Sequence, residues 1–167
     1  MDTVKFIIDD YVDDENGFRF PTINIYINDK NLIQLVNHVE CRDNDLQKEE
    51  ELLNKQSYVG LHPDYHREFH DEFLGLKKRP GGSLLLTCTC LEAACNSITA
   101  QIIVDSKTVT WNELKSPWLS SKTLCPWMTE EEALADGWIP VDYSGLGPFV
   151  FDREQYINAL EQLRTSM

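Results

Sequence analysis

The N-terminal part of the chain carries two runs with the hydrophobic pattern of β-strands. The segments VKFIIDDYV (4–12) and TINIYINDK (22–30) alternate or cluster β-branched and aromatic residues over strand-like lengths. A turn-rich segment, DDENGFRFP, separates them, so we expect a hairpin. The following residues repeat apolar side chains at helical spacing from Leu32 to Val39, which predicts a short amphipathic helix capped by Asp29.

A second helical pattern covers the segment HPDYHREFHDEFLG. Pro63 is suited to a first helical position because that residue needs no N–H donor, and Gly75 is a plausible C-terminal stop. Tyr65, Phe69 and Phe73 fall four residues apart, so a continuous helix would place all three rings on one face.

Three strand-like runs occupy the middle of the chain. They are SLLLTCTC (83–90), SITAQIIVD (97–105) and KTVTWNEL (107–114), and a tight corner at DSK separates the last two. This arrangement predicts an antiparallel meander over about 83–114 that lies at the centre of the core.

The C-terminal part predicts two helices and one strand. Thr129 is placed to cap a short helix in TEEEALADG, and PFVFD reads as a strand. Phe149 and Phe151 would point to one face of that strand, Asp152 would cap a C-terminal amphipathic helix, and Tyr156 would pack back against the two rings.

The strands and helices are grouped in sequence and do not alternate regularly, so the pattern predicts an α+β fold. We expect a single α+β domain over residues 1–167, with the central meander packed by short helices and the C-terminal helix. A chain of 167 residues is long enough to bury a sizeable core without help from disulfides or metal.

The charge balance limits the choice of partner. Fifteen Lys and Arg residues stand against 28 Asp and Glu residues, which gives a formal net charge of −13. This charge disfavours nucleic acid as a partner and favours a basic protein. The opening segment lacks the pattern of an export signal, and no run of 18 apolar residues is present, so we expect a cytoplasmic protein without membrane association.

The cysteines offer the clearest candidate chemistry. Cys88, Cys90 and Cys95 form a C-x-C-x4-C pattern, and a turn at LEAA would bring the third thiol close to the first two. Zinc prefers four ligands, so a zinc site would need a fourth from Cys41, Cys125 or a histidine. We favour small side chains packed beneath a hairpin, with no cofactor; a zinc site and a thiol redox centre are the alternatives.

The histidines and carboxylates offer weaker candidates. His62, His66 and His70 recur every four residues, but HREFH is not the H-E-x-x-H of a metalloprotease, so we expect surface histidines on a polar flank. Signatures of acyl, phosphoryl and dinucleotide chemistry do not occur. The acidic runs Asp9–Glu15, Glu40–Glu51 and Glu130–Asp142 are typical of solvated turns and exposed helices.

Three segments together carry a resemblance to known sequences. LLLTCTCLEAAC, TVTW and DYSGLGPFVFDREQYINAL resemble a widespread group of small uncharacterised bacterial proteins with the patterns C-x-C-G-x-x-G-C, V-x-W and G-P-F-x-F-D-x-x-x-Y. The resemblance covers roughly Tyr58 to Leu163, and Leu91 and Ala94 stand where that group usually has glycine. The residues that match its patterns are Cys88, Cys90, Cys95, Trp111, Phe149, Phe151, Asp152 and Tyr156.

The resemblance implies a shared fold and no particular activity. From the charge and the missing catalytic signatures, our leading hypothesis is a non-catalytic, acidic, cytoplasmic protein that binds a basic protein, in the manner of an immunity protein that neutralises a basic toxin domain. The alternative is a small zinc- or thiol-dependent enzyme or sensor centred on Cys88, Cys90 and Cys95. A third possibility is a small-ligand pocket beside the tryptophans, which are Trp111, Trp118, Trp127 and Trp138.

Overall fold

The computed structural model describes residues 1–13, 15–41, 58–89, 96–117, 119–120, 129–135 and 140–167. Its strands are β1 (Val4–Val12), β2 (Arg19–Ile27), β3 (Lys30–Asn31), β4 (Tyr58–Gly60), β5 (Ser83–Cys88), β6 (Ser97–Val104), β7 (Thr108–Lys115) and β8 (Phe149–Asp152). Its helices are α1 (Leu32–Cys41), α2 (Pro63–Glu68), α3 (His70–Phe73), α4 (Glu130–Ala135) and α5 (Arg153–Ser166).

The strands form two antiparallel sheets. One has the order β1-β2-β3 and the other the order β4-β5-β6-β7-β8, so strands that follow one another in sequence lie side by side. The predicted hairpin is β1–β2, and the predicted meander is β5–β6–β7. The α+β class and the position of the meander are therefore confirmed.

The two sheets meet at two points and together form a curled half-barrel. At one end, the Ile23 N–H donates to the Leu61 carbonyl oxygen at 2.7 Å. The approach is close, because a Cβ atom on Gly60 would overlap the backbone carbonyl of Ile23. At the other end, the Asp2 N–H donates to the Val150 carbonyl at 2.8 Å. The first hairpin therefore bridges both edges of the larger sheet.

Aromatic rings fill the space enclosed by the sheets. Trp111 is fully buried, and its ring lies edge-on to Phe151 with the centroids 5.2 Å apart. The Tyr156 hydroxyl donates to the carbonyl oxygen of Phe73 at 2.8 Å and accepts from the Trp111 indole N–H at 3.3 Å. Phe6 of β1 lies against this group, with its centroid 6.0 Å from that of Phe73. The core thus links β1, α3, β7, β8 and α5.

The C-terminal signature has its predicted role at Asp152, Phe151 and Tyr156. The carboxylate of Asp152 accepts the N–H of Gln155 at 3.1 Å, which caps α5. Tyr156 stacks on Phe151 with ring centroids 5.7 Å apart, while Phe149 is half-buried. The predicted cap at Thr129 is also confirmed, since its hydroxyl accepts the N–H of Glu132 at 3.1 Å.

The predicted cap of α1 is wrong. Asn31 accepts the N–H of Ile33 at 2.9 Å, so the cap lies two residues after Asp29 and the helix begins at Leu32. Asp29 has a positive φ of 65° and lies in the turn that follows β2. Its carboxylate instead binds the ammonium group of Lys5 at 2.7 Å. The hydrophobic pattern placed the start of the helix correctly at Leu32, but it gave no sign of the turn between β2 and β3 that contains Asp29.

The predicted continuous helix after Pro63 is also wrong. The helix is divided into α2 and α3 at Phe69, whose ψ of 13° departs from helical geometry. Tyr65 and Phe69 stack with nearly parallel rings on the outer side, whereas Phe73 is fully buried. Phe73 stacks on His66 and not on Phe69, so the three rings do not form the single stripe that the spacing predicted.

Candidate functional site

The cysteine pattern lies at one end of the meander. Cys88 is the last residue of β5, where its side chain is half-buried and its N–H donates to the Asn96 carbonyl at 2.9 Å. Cys90 and Cys95 lie outside the described residues, as does Cys125. The proposed zinc or thiol site at Cys88, Cys90 and Cys95 therefore stays a prediction. Within the described ranges, no group of three His, Cys, Asp or Glu side chains could hold a metal ion.

The expectation of surface histidines is wrong for His66. Its side chain is 1% exposed and stacks on Phe73 with ring centroids 4.6 Å apart. Neither ring nitrogen of His66 has a hydrogen-bond partner. Burial lowers the pKa of His66 to about 4, with a smaller contribution from the nearby His70. His66 and His70 remain neighbours, with ring centroids 6.3 Å apart, but the side of the helix that carries His66 and Phe73 faces the core and not solvent.

The expectation of a solvated carboxylate is wrong for Glu40, the first residue of the acidic run Glu40–Glu51, which lies at the centre of a largely buried polar network. Glu40 accepts hydrogen bonds from the Tyr58 hydroxyl at 2.7 Å and the Tyr143 hydroxyl at 3.1 Å. Asn96 donates to the Tyr58 hydroxyl at 3.0 Å and accepts from the Ser116 hydroxyl at 2.7 Å. The network ties the end of α1 to β4 and to the chain segments that flank the meander.

Burial sets the protonation of this network. It raises the pKa of Glu40, although the hydrogen bonds from Tyr58 and Tyr143 act in the opposite direction. Burial also raises the pKa of both tyrosines well above the usual range, and the charge of Glu40 adds to this effect. The tyrosines therefore stay protonated and donate to the carboxylate. A signal was present in the sequence, since Glu40 follows the buried Val36 by one helical turn.

A cleft of about 360 Å³ lies between β7 and the loop before β8. Tyr143 contributes to its wall and connects it to the buried network. Glu113, at the irregular end of β7, lines the cleft with a positive φ of 53°. The wall carries two carboxylates, Glu113 and Asp142, and one cation, Lys115, so its charged side chains leave an excess of negative charge.

The tryptophans do not form a described pocket. Trp111 is fully buried among the core rings. Trp118, Trp127 and Trp138 lie outside the described residues. The hypothesis of a ligand pocket beside all four stays a prediction, with Trp111 placed in the core.

The first hairpin continues past the core and ends in a projection that we call the hairpin tip, residues 9–13 and 15–20. Strand pairing extends to Val12 and Arg19, and the Asp13 N–H donates to the Phe18 carbonyl at 2.8 Å. Val12 is 41% exposed and Phe18 is 68% exposed. Tyr11 and Phe20 are half-buried against each other, with ring centroids 5.1 Å apart. The tip thus presents apolar side chains to solvent.

Carboxylates surround these apolar side chains. The described acidic residues of the tip are Asp9, Asp10, Asp13 and Glu15. Arg19 is the described cation of the tip, and its guanidinium lies 3.9 Å from the Asp10 carboxylate with both side chains well exposed. An exposed ion pair at this distance contributes little to the free energy of unfolding. The tip is therefore an acidic surface with an apolar centre, as the acidic run Asp9–Glu15 indicated in part.

No protein-family model, curated protein sequence or solved structure matches this chain. Within the described residues, none of the helices has the length and apolar character needed to cross a membrane.

Proposed function

We propose that this chain is a non-catalytic, acidic, cytoplasmic protein that binds a basic protein partner. In its specific form, the proposal is an immunity-type protein that neutralises a basic toxin domain. The observation that carries the proposal is the hairpin tip, where Val12 and Phe18 are exposed among four carboxylates.

The apolar side chains of the tip support binding to a protein surface. An exposed aromatic ring is a frequent anchor of protein interfaces, because burying it removes a large apolar area from water. The two strands hold Phe18 in place, since Asp13 and Phe18 form the last backbone pair before the turn. The ring is thus presented on paired backbone, so a partner would fix little additional chain on binding.

The charge of the tip supports a basic partner. Asp9, Asp10, Asp13 and Glu15 lie together on a chain whose net charge is −13. A surface of one sign attracts a partner of the opposite sign and speeds the encounter, especially at low ionic strength. Partners of the same sign would place like charges against the tip and are disfavoured.

The test is affinity capture from the organism that encodes the protein, at low salt, with the intact chain as bait. Phe18→Ser removes the exposed ring of the tip. Leu76→Ser is its matched control, because Leu76 is 71% exposed and lies in the turn after α3, outside the tip. We expect the wild type and Leu76→Ser to capture the same basic protein, and Phe18→Ser to lose most of it.

The captured protein is then expressed alone and together with this chain. Growth inhibition by the captured protein that co-expression relieves would support the immunity form. Capture of proteins that are not basic would contradict the proposal, and so would equal capture by Phe18→Ser and Leu76→Ser.

A further inference from the structure

We infer that the outer edge of β1, from Ile8 to Val12, binds an extended basic segment of the partner as an added β-strand. This inference rests on the proposed function and specifies where and how the basic partner binds. Addition of a strand to a sheet edge is a known mode of peptide recognition, in which backbone hydrogen bonds supply affinity and side chains supply specificity.

The backbone of β1 determines which groups face this edge. Alternate residues of an antiparallel strand direct their N–H and C=O groups to opposite sides. The Asp13 N–H donates to the Phe18 carbonyl, and the Thr3 carbonyl accepts the N–H of Asn28 at 3.0 Å. The odd-numbered residues of β1 therefore direct their backbone N–H and C=O groups towards β2. The even-numbered residues Ile8 and Val12 therefore direct their backbone groups away from β2, towards the outer edge.

At the base of the hairpin, the outward backbone groups of the same edge have hydrogen-bond partners. The Val4 N–H donates to the Gln155 side-chain oxygen at 3.2 Å, and the Gln155 amide donates to the Val4 carbonyl at 2.7 Å. Two residues before Val4, the backbone N–H of Asp2 donates to the carbonyl oxygen of Val150 in β8. The fold thus supplies partners to the edge at Asp2 and Val4, and none of the described strands continues this pairing towards Val12.

The side chains along the outer part of the edge fit a basic strand. Asp9 and Asp10 are exposed at its centre, and the apolar residues Ile7 and Val12 are 45% and 41% exposed on either side. Asp9 also accepts the outward N–H of Asp10 at 2.9 Å, so backbone pairing is open at Ile8 and Val12. Lysine or arginine opposite the two aspartates and β-branched residues beside them would complement this edge.

Charge selects a basic partner over a second copy of this chain. Pairing β1 with its own copy in antiparallel fashion would bring Asp9 and Asp10 close to the same carboxylates of the other strand. Like charges directly opposite each other destabilise a strand pair. A basic segment replaces that repulsion with attraction and uses the same backbone groups.

The experiment uses the intact protein and the synthetic peptide KTVKKVTK, acetylated and amidated, as the probe. Calorimetry measures its dissociation constant, and amide hydrogen exchange followed by NMR reports the site. We expect the peptide to slow exchange of the Ile8 and Val12 amides. The peptide ETVEEVTE and a KTVKKVTK analogue N-methylated at alternate residues should both bind much more weakly.

Two variants separate backbone pairing from side-chain contact. Val12→Pro and Val12→Ala both remove the valine side chain, but only proline removes the outward N–H. Proline is tolerated on an edge strand where that N–H faces away from the ladder. We expect Val12→Pro to bind the peptide about tenfold more weakly than Val12→Ala, as the loss of one hydrogen bond and its neighbours would require. The urea midpoint of each variant checks that it folds.

Several outcomes would overturn the inference. Equal binding by the two variants would do so, as would full binding of the N-methylated peptide, which does not depend on any variant folding. Absence of binding would show that Asp9 and Asp10 guard the edge against pairing, and dimerisation of the protein at this edge would assign it to a second copy. If capture of a basic partner still depends on Phe18 in any of these cases, the proposed function stands and only the strand-addition mode fails.

Discussion

The base and the tip of the first hairpin belong to the same two strands but differ in how far their apolar side chains are buried. At the base, Phe6 and Ile25 are buried, and the strands contact both edges of the larger sheet. At the tip, the pairing continues beyond the core formed by the described residues, and Val12 and Phe18 are exposed. Burial is the dominant stabilising contribution to a fold, so the base stabilises this molecule and the tip contributes little. Apolar side chains that do not stabilise the fold are available to a partner.

The largest effect should separate Phe6 from Phe18. Phe6→Ala removes a ring that contacts Phe73, Trp111 and Tyr156. We expect it to lower the free energy of unfolding by about 3–5 kcal/mol, because a cavity remains in the core. Phe18→Ala should change it by less than about 0.5 kcal/mol, as is usual for exposed positions. Urea denaturation of both variants measures the difference, and comparable losses would show that the tip is part of the core.

The second effect concerns His66, which packs against the base through Phe6. Its pKa is lowered from 6.5 to about 4 by burial, so the unfolded chain binds a proton more readily than the folded one. Stability from this group is therefore complete above pH 6.5 and falls as the pH decreases towards 4. By the linkage relation, the loss should reach roughly 3 kcal/mol near pH 4.

The measurement is the free energy of unfolding between pH 7 and pH 4 for the wild type and two variants. His66→Leu should remove this part of the pH dependence, because the buried site no longer titrates. His62→Gln is the control, since His62 is half-buried and has a hydrogen-bond partner in the Asp64 N–H. Parallel curves for the wild type and His66→Leu would contradict the predicted role of His66.

The base of the hairpin was more predictable from sequence than its contacts. The alternation in VKFIIDDYV gave the bounds of β1 correctly, because a strand with one buried face imposes a two-residue period. The closing signature likewise revealed the cap at Asp152. Glu40, in contrast, meets Tyr58 and Tyr143 only after three distant segments converge. Local patterns record the face of an element, whereas such long-range contacts depend on topology.

The hairpin tip also shows that local sequence patterns do not reveal long-range packing. The sequence showed the acidic run and the turn, and both are present. It did not show that the strand pairing extends beyond the core, because Val12 and Phe18 are residue types that are equally common in buried strands. His66 was misassigned for a related reason: it lies on the same face as Phe73, and only the packing of that face against Phe6 of β1 makes it buried.

The third prediction tests the close contact between the two sheets at the base of the hairpin. Gly60→Ala places a methyl group where the backbone of Ile23 lies, so the two sheets must move apart. We expect a loss of about 1–3 kcal/mol in the free energy of unfolding, as is typical of overpacking. Hydrogen exchange gives the sharper result: the Ile23 amide, which donates to Leu61, should exchange faster, while the Asp13 amide at the tip should not change. Equal acceleration at both amides would mean that base and tip open as one unit.

The smallest effect compares single charges at the two ends. Asp9→Asn at the tip keeps the acceptor for the Asp10 N–H and removes one negative charge from a chain of net charge −13. It should raise the free energy of unfolding by less than about 0.5 kcal/mol, because repulsion decreases. Lys5→Gln at the base breaks the exposed pair with Asp29 and should lower it by a similar amount. Salt should diminish both changes, since it screens exposed charges. Urea midpoints at low and high salt measure them, and a loss of more than about 1 kcal/mol in Asp9→Asn would mean that this carboxylate supports the fold and is not reserved for a partner.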